Sequence, residues 1–257
     1  YIKGIREYDA SLALEAMVSS AMKNHLGLKY YKKNGFISAS NEPESVSKQL
    51  EYSYDDWCIA LLADSLGEKE IAANFYERGQ YYKNLFDPST GFFRAKKSHT
   101  WFAPFRPEEV NFNYTEANAW QYSLFVPQDI NGHIKLMNGP KKYEKHLFGE
   151  EYEDGTIDYG ILERANKGTL LLDEVSEIPI ETQASILRVL IDQKFKRING
   201  TKDIYVDIRI ISSTSKDLKV LVENKNFRED LFHRLNVVPI KIPSLQARTE
   251  DIPLLIN

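Results

Sequence analysis

The aromatic residues of this chain are crowded into its first part, and that imbalance limits any single-domain reading. Residues 1–147 hold 12 of the 15 Tyr, 9 of the 13 Phe and all 3 Trp, 24 rings in 147 positions against 7 in the remaining 110. The second part carries β-branched runs instead, such as Ile204-Tyr-Val-Asp-Ile-Arg-Ile-Ile211. No internal repeat or low-complexity segment accounts for the change. A chain of 257 residues accommodates one large domain or two modest ones. The composition break points to two, residues 1–147 and residues 148–257.

Periodicity gives the two parts different architectures. From Asp9 to Lys23, Leu12, Leu14, Met17, Val18 and Met22 recur at three-to-four spacing, which predicts an amphipathic helix. Glu44 to Leu66 repeats the pattern with Val46, Leu50, Tyr54, Trp57, Leu61 and Leu62, and Gly67 is placed to stop it. A third helix is predicted from Glu68 to Phe86, then a long aromatic loop over 87–114 with Pro88, Gly91, Pro104 and Pro107, then helix again from Glu116 to Phe125. Long helices separated by long loops suit an α/α architecture whose loops build a cleft. The second part alternates: helix at Ile157–Ala165, a buried-type strand at Thr169–Asp173, a helix opened by Pro179 and running to Asp192, strand at Val206–Ser212, helix at Lys216–Glu223 and a third strand at Val237–Ile242. That order predicts an α/β parallel sheet. The expected fold class is mixed, all-α first and then α/β.

Composition excludes several function classes. A net charge of −4 offers no global electrostatic case for nucleic acid. The single cysteine, Cys58, rules out a disulfide framework and lies in an apolar helical pattern, where a small buried side chain is expected rather than a nucleophile. No apolar run approaches the roughly 18 residues of a membrane span, and Tyr1-Ile-Lys-Gly4 does not open a signal peptide, so a cytoplasmic, membrane-free chain is expected if it is expressed as given. Because position 1 is not Met, the natural start is expected upstream.

Several segments of the first part resemble glycoside hydrolase family 92, the calcium-dependent exo-α-mannosidases. They are Glu44-Ser-Val-Ser-Lys-Gln-Leu-Glu-Tyr-Ser-Tyr-Asp-Asp-Trp-Cys-Ile-Ala60, Tyr82-Lys-Asn-Leu-Phe-Asp-Pro-Ser-Thr-Gly91, Tyr114-Thr-Glu-Ala-Asn-Ala-Trp-Gln-Tyr122, Phe125-Val-Pro-Gln-Asp129 and Leu136-Met-Asn-Gly139. The resemblance implies part of an (α/α)-barrel, an α-mannoside glycan as substrate and Glu116 as the general acid. Inverting glycoside hydrolysis needs one carboxylic acid to protonate the leaving oxygen and a second carboxylate to activate water. Ala117 stands where the family usually has Gly, which matters if that Gly needs positive φ. Trp120 and Tyr122 offer a sugar-stacking face and desolvation of the acid, or plain core packing. Asp55 and Asp56 could face a sugar hydroxyl, or serve in helix capping or a surface salt bridge. The family's Gly-Asn-Asp-Asp-x-Gly-Gln segment, which bears the base, and its Gly-Asn-Glu-Pro-Ser-His segment, which contacts calcium, occur nowhere in these residues.

From Phe148-Gly149 the resemblance changes. Gly160-Ile-Leu-Glu-Arg-Ala-Asn-Lys-Gly-Thr-Leu-Leu-Leu-Asp-Glu-Val175, Glu181-Thr-Gln-Ala-Ser-Ile-Leu-Arg-Val-Leu190, Phe195-Lys-Arg-Ile-Asn-Gly200 and Phe227-Arg-Glu-Asp-Leu-Phe-His-Arg-Leu-Asn-Val-Val-Pro-Ile240 are similar to the AAA+ domain of sigma-54-dependent transcription activators of the nitrogen-regulation type. The resemblance makes Thr169–Glu174 a Walker B strand, with Asp173 holding the Mg²⁺ shell of Mg-ATP and Glu174 orienting the attacking water. Arg228 and Arg234 fall at arginine-finger positions, for which the alternative is a surface helix salt bridge. Ser213-Thr214-Ser215 replaces the usual Thr-Asn sensor pair. A phosphate-cradling P-loop needs Gly-Lys-Ser/Thr, and none of the 13 glycines is followed by Lys. The Gly-Ala-Phe-Thr-Gly-Ala loop that contacts sigma-54 is replaced by Glu151–Tyr159, no DNA-binding helix-turn-helix is present, and self-association through AAA+ surfaces is the remaining partner expectation.

Together these readings predict a composite of two truncated domains, each catalytically incomplete, whether by gene fusion, assembly error or deliberate joining. The alternatives are an α-mannosidase-related glycosidase or carbohydrate-binding protein, and an ATP-dependent transcriptional regulator.

Overall fold

A computed structural model describes residues 8–243. The outer ends of the two expected segments, 1–7 and 244–257, lie outside the described residues. The chain divides into two compact units, the first running to Gln128 and the second being Asp129–Pro239. Helices dominate the first and short two-stranded sheets interleave with helices in the second, so the fold is mixed.

In the first unit, α1 (Ala10–Ala21) is started by Asp9, whose carboxylate accepts from Leu12 N–H at 2.9 Å. A short α2 (Leu28–Asn34) leads to the 22-residue α3 (Ser45–Leu66), which ends where the sequence predicts, on Gly67 at φ 84°. The apolar faces of α1, α3 and α4 (Lys69–Arg78) meet in one cluster containing Leu14, Ile59, Leu62 and Phe75, with Ala60, Ala63 and Ala72 between them. The small residues let α3 and α4 approach closely without leaving voids. Beneath the other end of α3, Gln49 is fully buried and all its polar atoms are used. It accepts from Ile37 N–H at 2.7 Å and donates to Gly35 O at 3.1 Å and Tyr81 O at 2.7 Å.

Two sequence-based elements change here. The helix expected from Glu68 to Phe86 stops at Arg78 and gives way to a 3₁₀ turn at Tyr81–Leu85. Gly79 caps α4, and a Cβ there would lie 3.3 Å from Ser53 O and from Trp57 Cβ, a close approach to α3 that suits glycine. The aromatic stretch 87–114 is not all loop, for it contains the antiparallel pairs β1 (Phe86–Asp87) with β2 (Phe92–Phe93) and β3 (Lys96–Lys97) with β4 (Thr100–Trp101).

The second unit begins with α6 (Ile130–Leu136) and α7 (Pro140–Phe148), before which comes the first unit's four-residue α5 (Ala119–Tyr122). Helix α7 runs unbroken across position 147. It buries Tyr143, His146, Leu147 and Phe148, with the Phe148 ring edge-on to Phe195 at 5.6 Å. Next come the hairpin β5 (Glu150–Glu151) with β6 (Ile157–Asp158), then α8 (Ile161–Arg164), β7 (Thr169–Leu172), α9 (Ile180–Asp192), the hairpin β8 (Lys194–Phe195) with β9 (Ile204–Tyr205), then β10 (Arg209–Ser212), α10 (Leu218–Glu223) and α11 (Glu229–Leu235). Strands β7 and β10 pair in parallel, with Leu171 opposite Ile211. The expected buried strand is buried only at Leu172, because a two-stranded sheet leaves one face open: Leu171 is 58% and Ile211 52% exposed. The strand expected at Val237–Ile242 does not form; these residues lie exposed outside any ladder, and Pro239 would contribute no donor to one.

His133 on α6 and His146 on α7 are both buried, and burial lowers each imidazole to about 3 from the ordinary 6.5, with His133 and Arg164 adding to the effect on His146. An unfolded second unit would take up two protons below that ordinary value that the folded unit refuses. Its stability should therefore be complete above pH 6.5 and fall as pH drops toward 3, by about 1.4 kcal/mol per pH unit for each histidine. Urea unfolding followed by circular dichroism between pH 4 and 7 measures this slope, and His146→Leu should roughly halve it. The three tryptophans, Trp57, Trp101 and Trp120, lie in the first unit, so their fluorescence reports that unit separately.

Candidate functional site

Glu116 does not lie in a helix. It is exposed, its φ is +49°, and among the described residues its carboxyl has no hydrogen-bond or ion-pair partner. The predicted helix from Glu116 to Phe125 shrinks to α5, because a left-handed residue cannot enter an α-helix and Asn118 starts the helix instead. The Asn118 side chain accepts from Gln121 N–H at 3.2 Å, and Gln121 Oε1 accepts from Asn118 N–H at 3.0 Å. Ala117 is not among the positive-φ residues of this chain. The strain sits on Glu116 itself.

The aromatic neighbours are engaged elsewhere. Trp120 packs edge-on against Phe92 at 4.7 Å, and Tyr122 lies against Tyr114 at 6.0 Å and Phe125 at 6.1 Å. Glu116 itself stays open to water. Asp55 is exposed on α3, while Asp56, one residue on, is 1% exposed. Asp56 faces Arg78 in a two-pronged ion pair at 2.8 and 2.9 Å, and burial pushes its carboxyl up to about 6 against the pull of that guanidinium. Arg78 also donates to Ala21 O at 3.3 Å and lies over the Phe75 ring at 4.5 Å. Asp56 therefore ties α3 to α4 and to the end of α1, and reaches no exposed cleft. Sequence reasoning overlooked Ser47, which accepts the Thr115 N–H at 2.9 Å across a separation of 68 residues. No local pattern could reveal that contact.

In the second unit, Asp173 is exposed at the end of β7, with Glu174 following in the left-handed region at φ 46°. The end of β10 closes on both acids. Ser213 Oγ donates to Asp173 Oδ1, and Ser215 N–H donates to Glu174 Oε2 at 2.8 Å. Parallel pairing thus brings together the expected Walker B acids and the expected sensor segment. Of the expected arginine fingers, Arg228 pairs locally with Asp230 in the first turn of α11 at 2.7 Å, and Arg234 ties α11 to α9 by donating to Leu190 O at 2.8 and 3.1 Å. Neither contacts Asp173 or Glu174.

No group of three or more His, Cys, Asp or Glu among the described residues is placed to hold a metal ion. Among the described residues no helix is long and apolar enough to cross a membrane.

The chain belongs to glycosyl hydrolase family 92, whose catalytic-domain model matches residues 1–166. The Sigma-54 interaction domain model matches residues 139–241, so the two matches share residues 139–166, the stretch that contains all of α7. An inverting family GH92 mannosidase from Bacteroides thetaiotaomicron is 28% identical, with TM-score 0.59 over 75% of this chain and 30% of its own. A GH92 alpha-mannosidase from the same organism is 31% identical, with TM-score 0.58 over 75% of this chain and 27% of its own. The regulatory protein AtoC of Escherichia coli is 50% identical over 120 residues, 44% of this chain. This chain spans 26% of AtoC's length.

Two stability predictions follow from the site geometry. Asp56→Ala should destabilise the first unit by about 3–5 kcal/mol, because it leaves Arg78 buried without its counter-charge, while Asp55→Ala should cost less than about 0.5 kcal/mol. Glu116→Gly should stabilise the unit by about 0.5–1 kcal/mol, since relief of a left-handed residue outweighs the extra chain entropy of glycine. Urea midpoints from tryptophan fluorescence check both, and a Glu116→Gly variant less stable than the parent would show that the backbone there is unstrained.

Proposed function

We propose that the chain joins, near residue 147, the proton-donating half of a family 92 α-mannosidase site to the Walker B half of a sigma-54-type ATPase site, and that these residues complete neither. Glu116 is the general acid and an α-mannoside the substrate class of the first half, which derives from part of an (α/α)-barrel. Asp173 and Glu174 are the Mg²⁺ and water-orienting acids of the second, a partial AAA+ sheet, with Arg228 and Arg234 available to a neighbouring copy. The reading is carried by one observation. Among the described residues the exposed Glu116 carboxyl has no hydrogen-bond or ion-pair partner, and the side chain and amide that meet Asp173 and Glu174 belong to serines.

A missing base can be replaced from solution. With phenyl α-mannoside and azide, azide nitrogen attacks the anomeric carbon as the bond to phenoxide oxygen breaks. That oxygen takes the Glu116 proton, giving β-mannosyl azide, phenol and a carboxylate that water reprotonates. Cleavage should require azide, be indifferent to calcium, and fall by about 10²-fold or more in Glu116→Gln. Isothermal titration with Mg-ATP should give no binding heat. Azide-independent turnover in water, or micromolar ATP binding, would show that a complete site exists.

A further inference from the structure

A residue with a Cβ is held at φ +49° only when the backbone on both sides leaves it no alternative. After Glu116, that hold is the Asn118 capping box, reinforced by Asn118 Nδ2 donating to Glu108 O at 3.2 Å. Before it, the chain is fastened to the first turn of α3 at three points. Glu44 N–H donates to Phe112 O at 2.6 Å, Val46 N–H donates to Asn113 O at 3.0 Å, and Thr115 N–H donates to Ser47 Oγ at 2.9 Å. The first two bonds are made by backbone amides at the start of α3, where amides lack partners within the helix, and depend on no particular side chain. The third needs a hydroxyl, and the amide it accepts belongs to the residue immediately before Glu116.

We propose that Ser47 is a positioning residue for Glu116: by anchoring the Thr115 amide, its buried hydroxyl sets the direction in which the Glu116 carboxyl leaves the backbone. The role rests on Glu116 being the proton donor and adds the group that aims it. Without the anchor, Glu116 is free to relax toward negative φ and swing its carboxyl off line, and small misplacements of a reacting group are costly in rate.

Ser45 supplies a matched control. It lies in the same turn, is as fully buried as Ser47, and its hydroxyl has no partner among the described residues. In the full chain, Ser47→Ala should speed amide hydrogen exchange at Thr115 by about tenfold and lower azide-dependent kcat by about tenfold with KM unchanged. Ser45→Ala should move neither. Equal effects of the two variants would reduce Ser47 to ordinary packing and overturn the proposal. So would a Thr115 amide exchanging at the open-chain rate in the unaltered protein, a measurement that decides the matter even if Ser47→Ala does not fold. Absence of azide-dependent cleavage in the unaltered chain removes the donor reading and the role of Ser47 together. Fast Thr115 exchange with azide-dependent cleavage intact removes Ser47 alone.

Discussion

The Asp56–Arg78 ion pair, nearly withdrawn from water on both sides, ties together the helices of the first unit. A charge buried alone would cost several kcal/mol, so each side chain is tolerated only because the other is present. Their meeting fixes how α4 lies on α3, and Arg78 extends the constraint to the last turn of α1. Tyr31 closes the arrangement, donating to Arg78 O at 2.9 Å and lying 3.3 Å from Ser53 Oγ. With α3 held there, its opposite end is free to receive the strand of chain that carries Glu116. One helix thus supplies both the structural core and the mount for the candidate acid.

The second unit is organised around a buried amide instead. Gln183 on α9 donates to Ile178 O at 2.8 Å and accepts from Arg228 N–H at 2.9 Å, which docks the start of α11 on α9. Leu231, fully buried on α11, adds the apolar part of that contact. The parallel register of β7 and β10 then decides that Ser213 and Ser215 meet Asp173 and Glu174. The sheet has only two strands among the described residues, so Leu171 and Ile211 face solvent with no layer over them. The unit includes α6, which lies before the proposed joint, and α7, which crosses it and contributes four buried residues.

Much of this was legible beforehand. The extents of α1 and α3 follow from three-to-four spacing, that of α9 from the proline before it, and Gly67 ends α3 because a left-handed cap suits glycine. Parallel pairing of Thr169–Leu172 with Arg209–Ser212 agrees with the strand–helix alternation. The failures have physical causes. A helix through Gly79 was predicted because periodicity is blind to the close passage of Ser53 and Trp57. A helix from Glu116 was predicted because nothing local announces a positive φ on glutamate. Asp56 looked available to a sugar because its partner lies 22 residues away on another helix.

By itself, the sequence determined the long helices α1, α3 and α9, where aromatic packing gives way to β-branched strands, and the two families whose motifs the chain carries. Those properties depend on side-chain period and on contiguous motifs, both of which are local. Tertiary structure alone decided that Asp56 is structural, that Glu116 is strained and exposed, and that Ser47 holds the residue before it. Each of these depends on groups brought together from distant positions, where burial and hydrogen bonding set the role a residue plays.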